Sequence, residues 1–442
     1  MADQTRPLGA QISHMLKDRG VDVIFGIPGV HNQEMYRGIE EAGITHVLAR
    51  HEQGAGFMAD GYARATGRPG VAYVITGPGL CNIMTPMGQA YSDSVPMLVI
   101  SSCLDETAAR RGQLHQMKDQ CAAAETVCDW SEEARTAEAA YALIDRAFTE
   151  FDARRMRPKH IQVPIALLEG TAAAARHRME SEFIGREGRD PYAVKKITKA
   201  LQDASRPIMI LGGGAVIGAS MYPKIATNAG AAAFCTYAGR GIMPGDHPLY
   251  FGATLARQSS AEVLAQADLV LAVGTELAEV DLWRAELGHN CPTIRIDVDP
   301  SNLTGETREG DMQIVAEAYE LLEAVHDALH DVPSESAWKP EEIRSWRTRW
   351  RAEVDAEYPG ILPIADALKA CMPDGTMIYS DMTQLAYAAK EVWDMDRPGY
   401  WHHPYGFGTL LCAACRHWRA GWAAGQAHAG HHRGLRVSLH HG

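Results

Sequence analysis

The sequence predicts an α/β protein with three doubly wound parallel-sheet domains, the third of them incomplete. Its 442 residues are enough for about three domains of ordinary size. Short apolar strands run into glycine turns and then into helical segments in repeated order, which is typical of parallel sheets covered on both faces. The pattern stops at residue 410, because residues 411–442 show no amphipathic period.

The first predicted domain covers residues 1–170. An amphipathic helix ends at Gly20, a strand follows at 21–25, and two further buried strands at 71–75 and 96–101 run into small or polar residues. Ligands of parallel sheets bind at the carboxyl ends of the strands. We therefore expect a site in the loops that follow these strands.

Two further domains follow. A polar, Ala-rich linker at 171–189 precedes a second domain at 190–330, in which we expect strands at 207–211, 267–273 and 293–298. A polar break at 331–342 and a helix rich in Trp and Arg lead to a strand at 376–379, which opens a third domain at 345–410.

Composition narrows the function classes. Forty-two basic and fifty-five acidic residues give a net charge of −13, which disfavours nonspecific binding to nucleic acid or to anionic membranes. No apolar run approaches the roughly 18 residues that cross a bilayer. The first ten residues lack the layout of a secretory signal, and nine cysteines at irregular spacing form no disulfide framework. We expect a soluble cytoplasmic protein that binds small molecules.

The carboxylate of Glu52 stands at a predicted strand-to-helix junction. Alone, it is typical of a first-turn glutamate that the helix dipole favours. Together, however, the strings FGIPG at 25–29, HEQGA at 51–55, TGPG at 76–79 and DSVP at 93–96 closely resemble the thiamine diphosphate enzymes of the acetolactate synthase type. The resemblance covers residues 1 to about 410, in the right order.

This resemblance implies a pyrimidine-binding domain at 1–170, a central domain at 190–330 and the start of a diphosphate-binding domain at 345–410. It implies Mg²⁺-dependent decarboxylation of a 2-oxo acid, followed by aldehyde release or carboligation, in a homodimer or tetramer. The strings GIPGVH and RHEQGAGFMADGYARATG look most like the branch of acetolactate synthase-like proteins or 5-guanidino-2-oxopentanoate decarboxylases. Val30 stands where acetolactate synthases usually carry a second glycine, which argues against acetolactate formation.

The resemblance also implies the site residues. Glu52 bonds the aminopyrimidine ring of the cofactor, and Leu410 holds the cofactor bent. The predicted catalytic residues are Glu52, Gly29, His31, His115 and Gln116, and the predicted cofactor-binding residues are Glu52, Pro28, Thr76, Gly77, Asn82, Met382, Thr383, Gln384, Gly408 and Leu410. As alternatives, the glycines are ordinary turn residues, and His31, His115 and Gln116 cap helices or pair on the surface.

The glycines at 212–214 follow a strand, as in dinucleotide-binding loops, but the acidic residue expected about 20 positions later is missing. The central domain of the resembling family holds FAD in acetolactate synthases. We expect an ordinary glycine turn here, and a flavin or nucleotide-binding module stays an alternative function.

Residues 411–442 do not fit the third domain. They contain no Asp, Glu or Asn, so they offer no Mg²⁺ ligands of the preferred oxygen type, and the irregular spacing of their cysteines and histidines argues against a zinc site. A one-base shift of their codons can spell the family's next segment, including G-D-Y-G-F. We interpret them as an out-of-frame tail without a strand that completes the third sheet, and we expect a catalytically inactive chain until the frame is restored.

Overall fold

The computed structural model describes residues 5–105, 112–175, 189–303, 307–329, 336–408 and the backbone of 436–439. The chain divides into two compact units. The first unit contains Met1–Phe183 and Pro404–His431, and the second contains Ile184–His403 and His432–Gly442. Each unit is described by itself.

The first unit alternates strands and helices. Its elements are β1 (Arg6–Pro7), α1 (Leu8–Asp18), β2 (Val23–Gly26), α2 (Gln33–Glu41), β3 (Thr45–Leu48), α3 (Glu52–Thr66), β4 (Gly70–Val74), α4 (Pro78–Ser92), β5 (Met97–Cys103), α5 (Gln120–Glu125), β6 (Trp130–Glu133), α6 (Ala137–Ala153), β7 (Lys159–Pro164), α7 (Ile165–Glu169) and β8 (Thr171–Ala172).

Within these described residues, six strands form a parallel sheet in the order β3-β2-β4-β5-β7-β6. Strands β4 and β5 are buried along their whole length, because helices cover both faces of the sheet. One face packs on α1, α2 and α6, and the other packs on α3 and α4. The predicted α/β class is confirmed.

The second unit repeats this organisation. Its elements are α8 (Pro191–Asp203), β9 (Pro207–Leu211), α9 (Tyr222–Ala229), β10 (Ala232–Cys235), β11 (Tyr250–Gly252), α10 (Ser260–Leu264), β12 (Leu269–Val273), α11 (Glu279–Leu282), β13 (Thr293–Asp297), β14 (Met312–Val315), α12 (Ala318–Leu329), α13 (Pro340–Glu357), α14 (Ile361–Cys371), β15 (Met377–Ser380), α15 (Gln384–Val392), β16 (Trp401–His402) and β17 (Arg436–Leu439).

Two parallel sheets lie in the described part of the second unit. The larger has the order β11-β10-β9-β12-β13-β14, and the smaller has the order β16-β15-β17. The tail does contain a strand, since Arg436–Leu439 pairs in parallel with β15, so the expectation of no strand after residue 410 is wrong. The sequence Arg-Val-Ser-Leu alternates polar and apolar residues, a pattern typical of a strand.

The predicted limits of the linker and of the polar break also differ from the observed strands and helices. Thr171–Ala172, placed in the linker by sequence, pairs antiparallel with Arg6–Pro7. The Trp- and Arg-rich helix begins at Pro340, inside the predicted polar break, because proline is favoured in the first helical turn. The other tail residues lie outside the described residues, so their out-of-frame origin stays a prediction, as do the domain limits.

Helices α1 and α2 approach each other through glycine. A Cβ atom on Gly38 would lie 2.5 Å from Ala10 Cα and 2.8 Å from Ala10 O, distances that no side chain tolerates without backbone movement. By contrast, a Cβ atom on Gly54 in α3 would meet nothing within 4 Å. The two positions are a matched pair of helical glycines with opposite surroundings.

We expect Gly38→Ala to lower the free energy of unfolding by about 2 kcal/mol, because overpacking forces the helices apart. Gly54→Ala should raise it by about 0.5–1 kcal/mol, because alanine loses less backbone entropy in a helix. Urea titration of both variants measures these changes. Equal effects of the two substitutions would contradict the close helix contact.

One fully buried histidine lies within the first sheet. His160 in β7 has no exposed surface, and its ring nitrogens lie 2.8 Å from Ser101 Oγ and 2.7 Å from Ser131 Oγ. Burial lowers the pKa of His160 to about 3, because the imidazolium form would lose its hydration. The ring is therefore neutral in the folded protein at any physiological pH.

This lowered pKa makes stability depend on pH. The unfolded chain binds a proton at His160 below pH ~6.5 and the folded chain does not, so the stabilisation present above pH ~6.5 is lost as the pH falls toward 3. We expect His160 to account for roughly 2 kcal/mol of the stability lost between pH 7 and pH 5. Urea titrations of the parent and of His160→Gln at both pH values measure this difference, which an identical pH dependence in the two proteins would refute.

Candidate functional site

The loops after β2, β4 and β5 leave the same edge of the first sheet. In the loop after β2, the Gly29 N–H donates a hydrogen bond of 2.8 Å to Asn32 Oδ1. Asn32 is almost completely buried, and its Nδ2 atom has no hydrogen-bond partner among the described residues. Pro28 and Val30 on the same loop are exposed. The loop thus carries an unsatisfied buried donor.

Glu52 is the first residue of α3, where its charge complements the helix dipole. Asn82 Nδ2 of α4 donates a hydrogen bond of 2.9 Å to Glu52 Oε2. The other carboxylate oxygen faces Gly79, since a Cβ atom there would lie 3.6 Å from Glu52 Oε1. The helix start is capped by His51, whose Nδ1 accepts from Gln53 N at 3.1 Å. One oxygen of Glu52 is therefore held, and no described side chain bonds the other.

Hydrogen bonds from two buried side chains hold the turn between β4 and α4. The Thr76 N–H donates to Ser102 Oγ at 3.0 Å, and the Gly77 N–H donates to Gln120 Oε1 at 2.8 Å. Gly77 has φ of +70°, and a Cβ atom on it would lie 2.3 Å from His115 O. Only glycine satisfies both conditions. Gly77 thus brings the His115 loop against the start of α4.

His31 and His115 form a pair of edge-to-face rings, with centroids 5.1 Å apart. The Nδ1 atoms of both rings are buried and have no hydrogen-bond partner among the described residues. Burial lowers the pKa of His31, and the neighbouring His115 lowers it further, whereas the Asp105 carboxylate opposes both effects. The pair presents two unsatisfied ring nitrogens beside the Gly77 turn.

Gln116 has a local role in its loop. Its Oε1 atom accepts hydrogen bonds from Gly112 N at 3.1 Å and from Gln113 N at 3.3 Å. These bonds lie within the loop and cap no helix. A catalytic role for Gln116 stays a prediction.

The predicted diphosphate-side residues follow β15 in the second unit. Thr383 begins α15, and its hydroxyl accepts a hydrogen bond of 3.2 Å from Ala386 N. Met382 Sδ accepts a hydrogen bond of 3.3 Å from Tyr387 OH, and Gln384 is exposed. A polar helix start after a buried strand is suited to anion binding, but a role for these three residues stays a prediction.

The last predicted segment follows Pro404 in the first unit. Gly408 is exposed and has φ of +62°. Its neighbour Phe407 packs on α4, where a Cβ atom on Gly88 would lie 2.6 Å from the ring. Leu410 lies outside the described residues.

Three residues of the site were missed by sequence reasoning. Ser102 and Gln120 hold the Thr76-Gly77 turn, and Asn32 carries the orphan donor. Ser102 is a polar residue near the end of the buried strand β5, which is a usable signal. Gln120 gave no signal, because its partner is 43 positions away and only the fold brings them together.

The glycines at 212–214 serve packing. A Cβ atom on Gly212 would lie 2.2 Å from Gly274 O, and one on Gly214 would lie 2.8 Å from Gly274 Cα. The turns after β9 and β12 touch through these glycines, which supports the ordinary-turn interpretation. In the described residues, no group of three or more His, Cys, Asp or Glu side chains could hold a metal ion.

Comparison with known proteins identifies the family. A family model described as "Thiamine pyrophosphate enzyme, N-terminal TPP binding domain" matches residues 6–123, and one described as "Thiamine pyrophosphate enzyme, central domain" matches residues 194–325. The chain belongs to the thiamine pyrophosphate enzyme family. Thiamine pyrophosphate is another name for thiamine diphosphate, so the resemblance read from the sequence motifs is confirmed.

Three relatives show which enzymes of the family this chain resembles in sequence. It is 40% identical over 416 residues to the probable 2-ketoarginine decarboxylase AruI of Pseudomonas aeruginosa. This alignment covers 92% of this chain and 73% of the relative. It is 25% and 28% identical to the large subunits of acetolactate synthase isozymes 1 and 3 of Escherichia coli, over 90% and 89% of this chain and 71% of each relative. This family member is therefore related to both decarboxylases and acetolactate synthases. Within the described residues, no helix is long and apolar enough to cross a bilayer.

The effect of His115 on the pKa of His31 can be tested directly. We expect His115→Asn to raise the pKa of His31, because the substitution removes the charge that disfavours the imidazolium form. Burial should still keep that pKa below its ordinary value. NMR titration of the His31 ring in both proteins measures the shift, with His326→Asn in α12 of the second unit as the control. An unchanged His31 titration in His115→Asn would show that the two rings do not interact.

Proposed function

We propose that this protein, once its reading frame is restored after Leu410, decarboxylates a 2-oxo acid with bound thiamine diphosphate, and that Glu52 is the residue that engages the aminopyrimidine ring. The observation that carries this proposal is the state of the Glu52 carboxylate. Asn82 donates a hydrogen bond of 2.9 Å to Oε2, while Oε1 faces Gly79 of α4. A carboxylate held on one side and open on the other can share a proton with a ring nitrogen.

The surrounding residues fit a flat heterocycle. Ile75 lies between two glycines, because Cβ atoms on Gly29 and Gly79 would lie 2.4 and 2.7 Å from its side chain. The absence of those two Cβ atoms lets the Ile75 side chain pack against both glycines, so an apolar side chain lies close to the Glu52 carboxylate. The buried Asn32 Nδ2 atom and the Nδ1 atoms of His31 and His115 have no partner in the described residues. Such unsatisfied polar atoms favour a ligand that carries hydrogen-bonding groups.

The chemistry divides between the cofactor and the chain. Bound thiamine diphosphate supplies an electron sink for the bond that breaks when a 2-oxo acid loses carbon dioxide. Glu52 holds or moves a proton at Oε1, and Asn82 orients the carboxylate. The lowered pKa of His31 keeps its ring neutral near pH 7, so its Nδ1 atom can exchange a proton with substrate or product.

The substrate we propose is 5-guanidino-2-oxopentanoate, also called 2-ketoarginine. The similarity to the probable 2-ketoarginine decarboxylase, at 40% identity, exceeds the 25% and 28% identity to the two Escherichia coli acetolactate synthase subunits. Val30, which stands at a position that is usually glycine in acetolactate synthases, is consistent with a different acceptor. We therefore favour aldehyde release over carboligation.

Further parts of the prediction stay proposals. They are Mg²⁺ dependence, assembly as a homodimer or tetramer, location in the cytoplasm, and the assignment of 1–170, 190–330 and 345–410 as pyrimidine-binding, central and diphosphate-binding domains. The packing of Gly212 and Gly214 against Gly274 gives no support to a flavin site, and FAD is not part of the proposal.

Substitution of the proposed proton-sharing group tests the function. In the form with the frame restored after Leu410, we expect Glu52→Gln to fold and bind substrate but to release carbon dioxide from 5-guanidino-2-oxopentanoate at least ~100-fold more slowly, the usual scale for a lost acid-base group. The exposed Glu40 of α2 provides the control Glu40→Gln, which should retain the parent rate. The measurement is carbon dioxide release with thiamine diphosphate and Mg²⁺, by the 442-residue chain and by a form with the frame restored after Leu410.

The outcomes separate the alternatives. Release by the 442-residue chain would overturn the expectation that it is inactive, but would support the proposed reaction. Saturable thiamine diphosphate binding by calorimetry without release from either form would favour a binding module over an enzyme. Glu52→Gln activity within a few fold of the parent would remove Glu52 from the mechanism. Faster turnover of pyruvate than of 5-guanidino-2-oxopentanoate would contradict the proposed substrate.

A further inference from the structure

A chain of buried hydrogen bonds runs beneath the candidate site, and the proposed function does not use it. It links Ser131 of β6, His160 of β7, Ser101 of β5 and Gln120 of α5, and we call these four residues the buried relay. Its last member bonds the Gly77 N–H at 2.8 Å. Ser101 and His160 have no exposed surface, and Gln120 is 5% exposed, so water cannot replace the bonds among these three residues, whereas Ser131 at the far end is partly exposed.

The orientation of the Gln120 amide follows from its backbone partners. The Gly77 N–H requires an acceptor, which fixes Oε1. The Ser102 carbonyl requires a donor, which fixes Nε2 at 2.8 Å. The second Nε2 hydrogen then points to Ser101 Oγ at 3.0 Å. All hydrogen-bonding groups of this amide have partners.

The proton on His160 follows in turn. The Ser131 hydroxyl donates to Cys121 Sγ at 3.2 Å, so Ser131 Oγ accepts from the Nδ1–H group of the neutral ring at 2.7 Å. Nε2 then carries the lone pair and accepts from the Ser101 hydroxyl at 2.8 Å. Ser101 Oγ in turn accepts from Gln120 Nε2 at 3.0 Å. The donors and acceptors of the relay match in one direction from end to end.

The relay ends at Gly77, where the backbone conformation and the close packing both require glycine. Gly77 has φ of +70°, and its Cα faces the His115 carbonyl with no room for a Cβ atom. Helix α4, which carries Asn82 to Glu52, begins at the next residue. A shift of the Gly77 peptide would therefore move both the His115 loop and the partner of Glu52.

We propose that the buried relay is a positioning device: through Gln120 it holds the Gly77 N–H, and through that peptide it fixes where Asn82 and His115 lie in the site. His160, Ser101 and Gln120 are positioning residues, since none of them bonds Glu52, His31 or His115 in the described structure. The hydrogen-bond part of this inference is independent of the proposed function. Its consequence for cofactor binding rests on that function.

Amide hydrogen exchange at Gly77 is the direct test. We expect Ser101→Ala and Gln120→Ala to raise the exchange rate of the Gly77 amide roughly fivefold or more, because a lost buried hydrogen bond eases local opening. The matched control is Ser13→Ala, another fully buried hydroxyl of the first unit, which bonds Met35 O at 2.8 Å and Tyr73 OH at 3.0 Å. It should lower overall stability without a selective change at Gly77.

Two substitutions of His160 separate positioning from simple packing. Glutamine can place a polar atom near the Nε2 position and keep the contact with Ser101, whereas asparagine can reach only the Nδ1 side toward Ser131. We expect His160→Gln to retain slow Gly77 exchange and His160→Asn to lose it. A residue that only fills space would not produce this order.

The outcomes decide the proposal. Gly77 exchange that rises in Ser101→Ala and His160→Asn but not in Ser13→Ala or His160→Gln supports it. Equal exchange in Ser101→Ala and Ser13→Ala, at matched overall stability, overturns it. Because exchange needs no cofactor, it is informative even if Glu52→Gln contradicts the proposed reaction. If Gln120→Ala does not fold, Gln120→Met, which has a similar volume and can neither accept from Gly77 N–H nor donate to Ser101, takes its place and should also exchange faster.

Discussion

The turn formed by Thr76 and Gly77 lies where β4 ends and α4 begins, and three parts of the candidate site meet there. Helix α4 carries Asn82 to Glu52, the His115 carbonyl lies against Gly77, and the side chains of Ser102 and Gln120 bond the turn from below. A parallel sheet places successive strand ends at one edge. The turn therefore couples loops that are far apart in sequence.

Close backbone approach is the second constraint. Gly38 permits contact between α1 and α2, Gly77 permits contact with the His115 loop, and Gly212 permits contact between two strand ends of the second unit. In each case the atom that a Cβ would meet belongs to the backbone, which cannot rotate away. These glycines are required by packing, and their presence alone says little about ligand binding.

Buried polar groups in the first unit fall into two classes. The side chains around His160 have matched donors and acceptors, as expected for groups without access to water. Asn32 Nδ2 and the Nδ1 atoms of His31 and His115 are buried without partners in the described residues. Gln162 Oε1 in β7 is also without a partner among the described residues, so the atoms of Asn32, His31 and His115 point to a ligand because they also lie in loops at one edge of the sheet, where a ligand could complete them.

The fold class and the family could be predicted from the amino-acid sequence, because strand runs, glycine turns and the strings around Gly29, Glu52 and Gly77 are local patterns. The sequence also indicated the position of Glu52 at a strand-to-helix junction, and β9 at Pro207–Leu211 was predicted with its observed bounds. The folded structure was needed to show that Asn82 bonds Glu52, that Gln120 bonds Gly77 across 43 positions, and that Arg436–Leu439 pairs with β15. Those contacts join segments distant along the chain, so they depend on strand order and register, and no local pattern of residues encodes them.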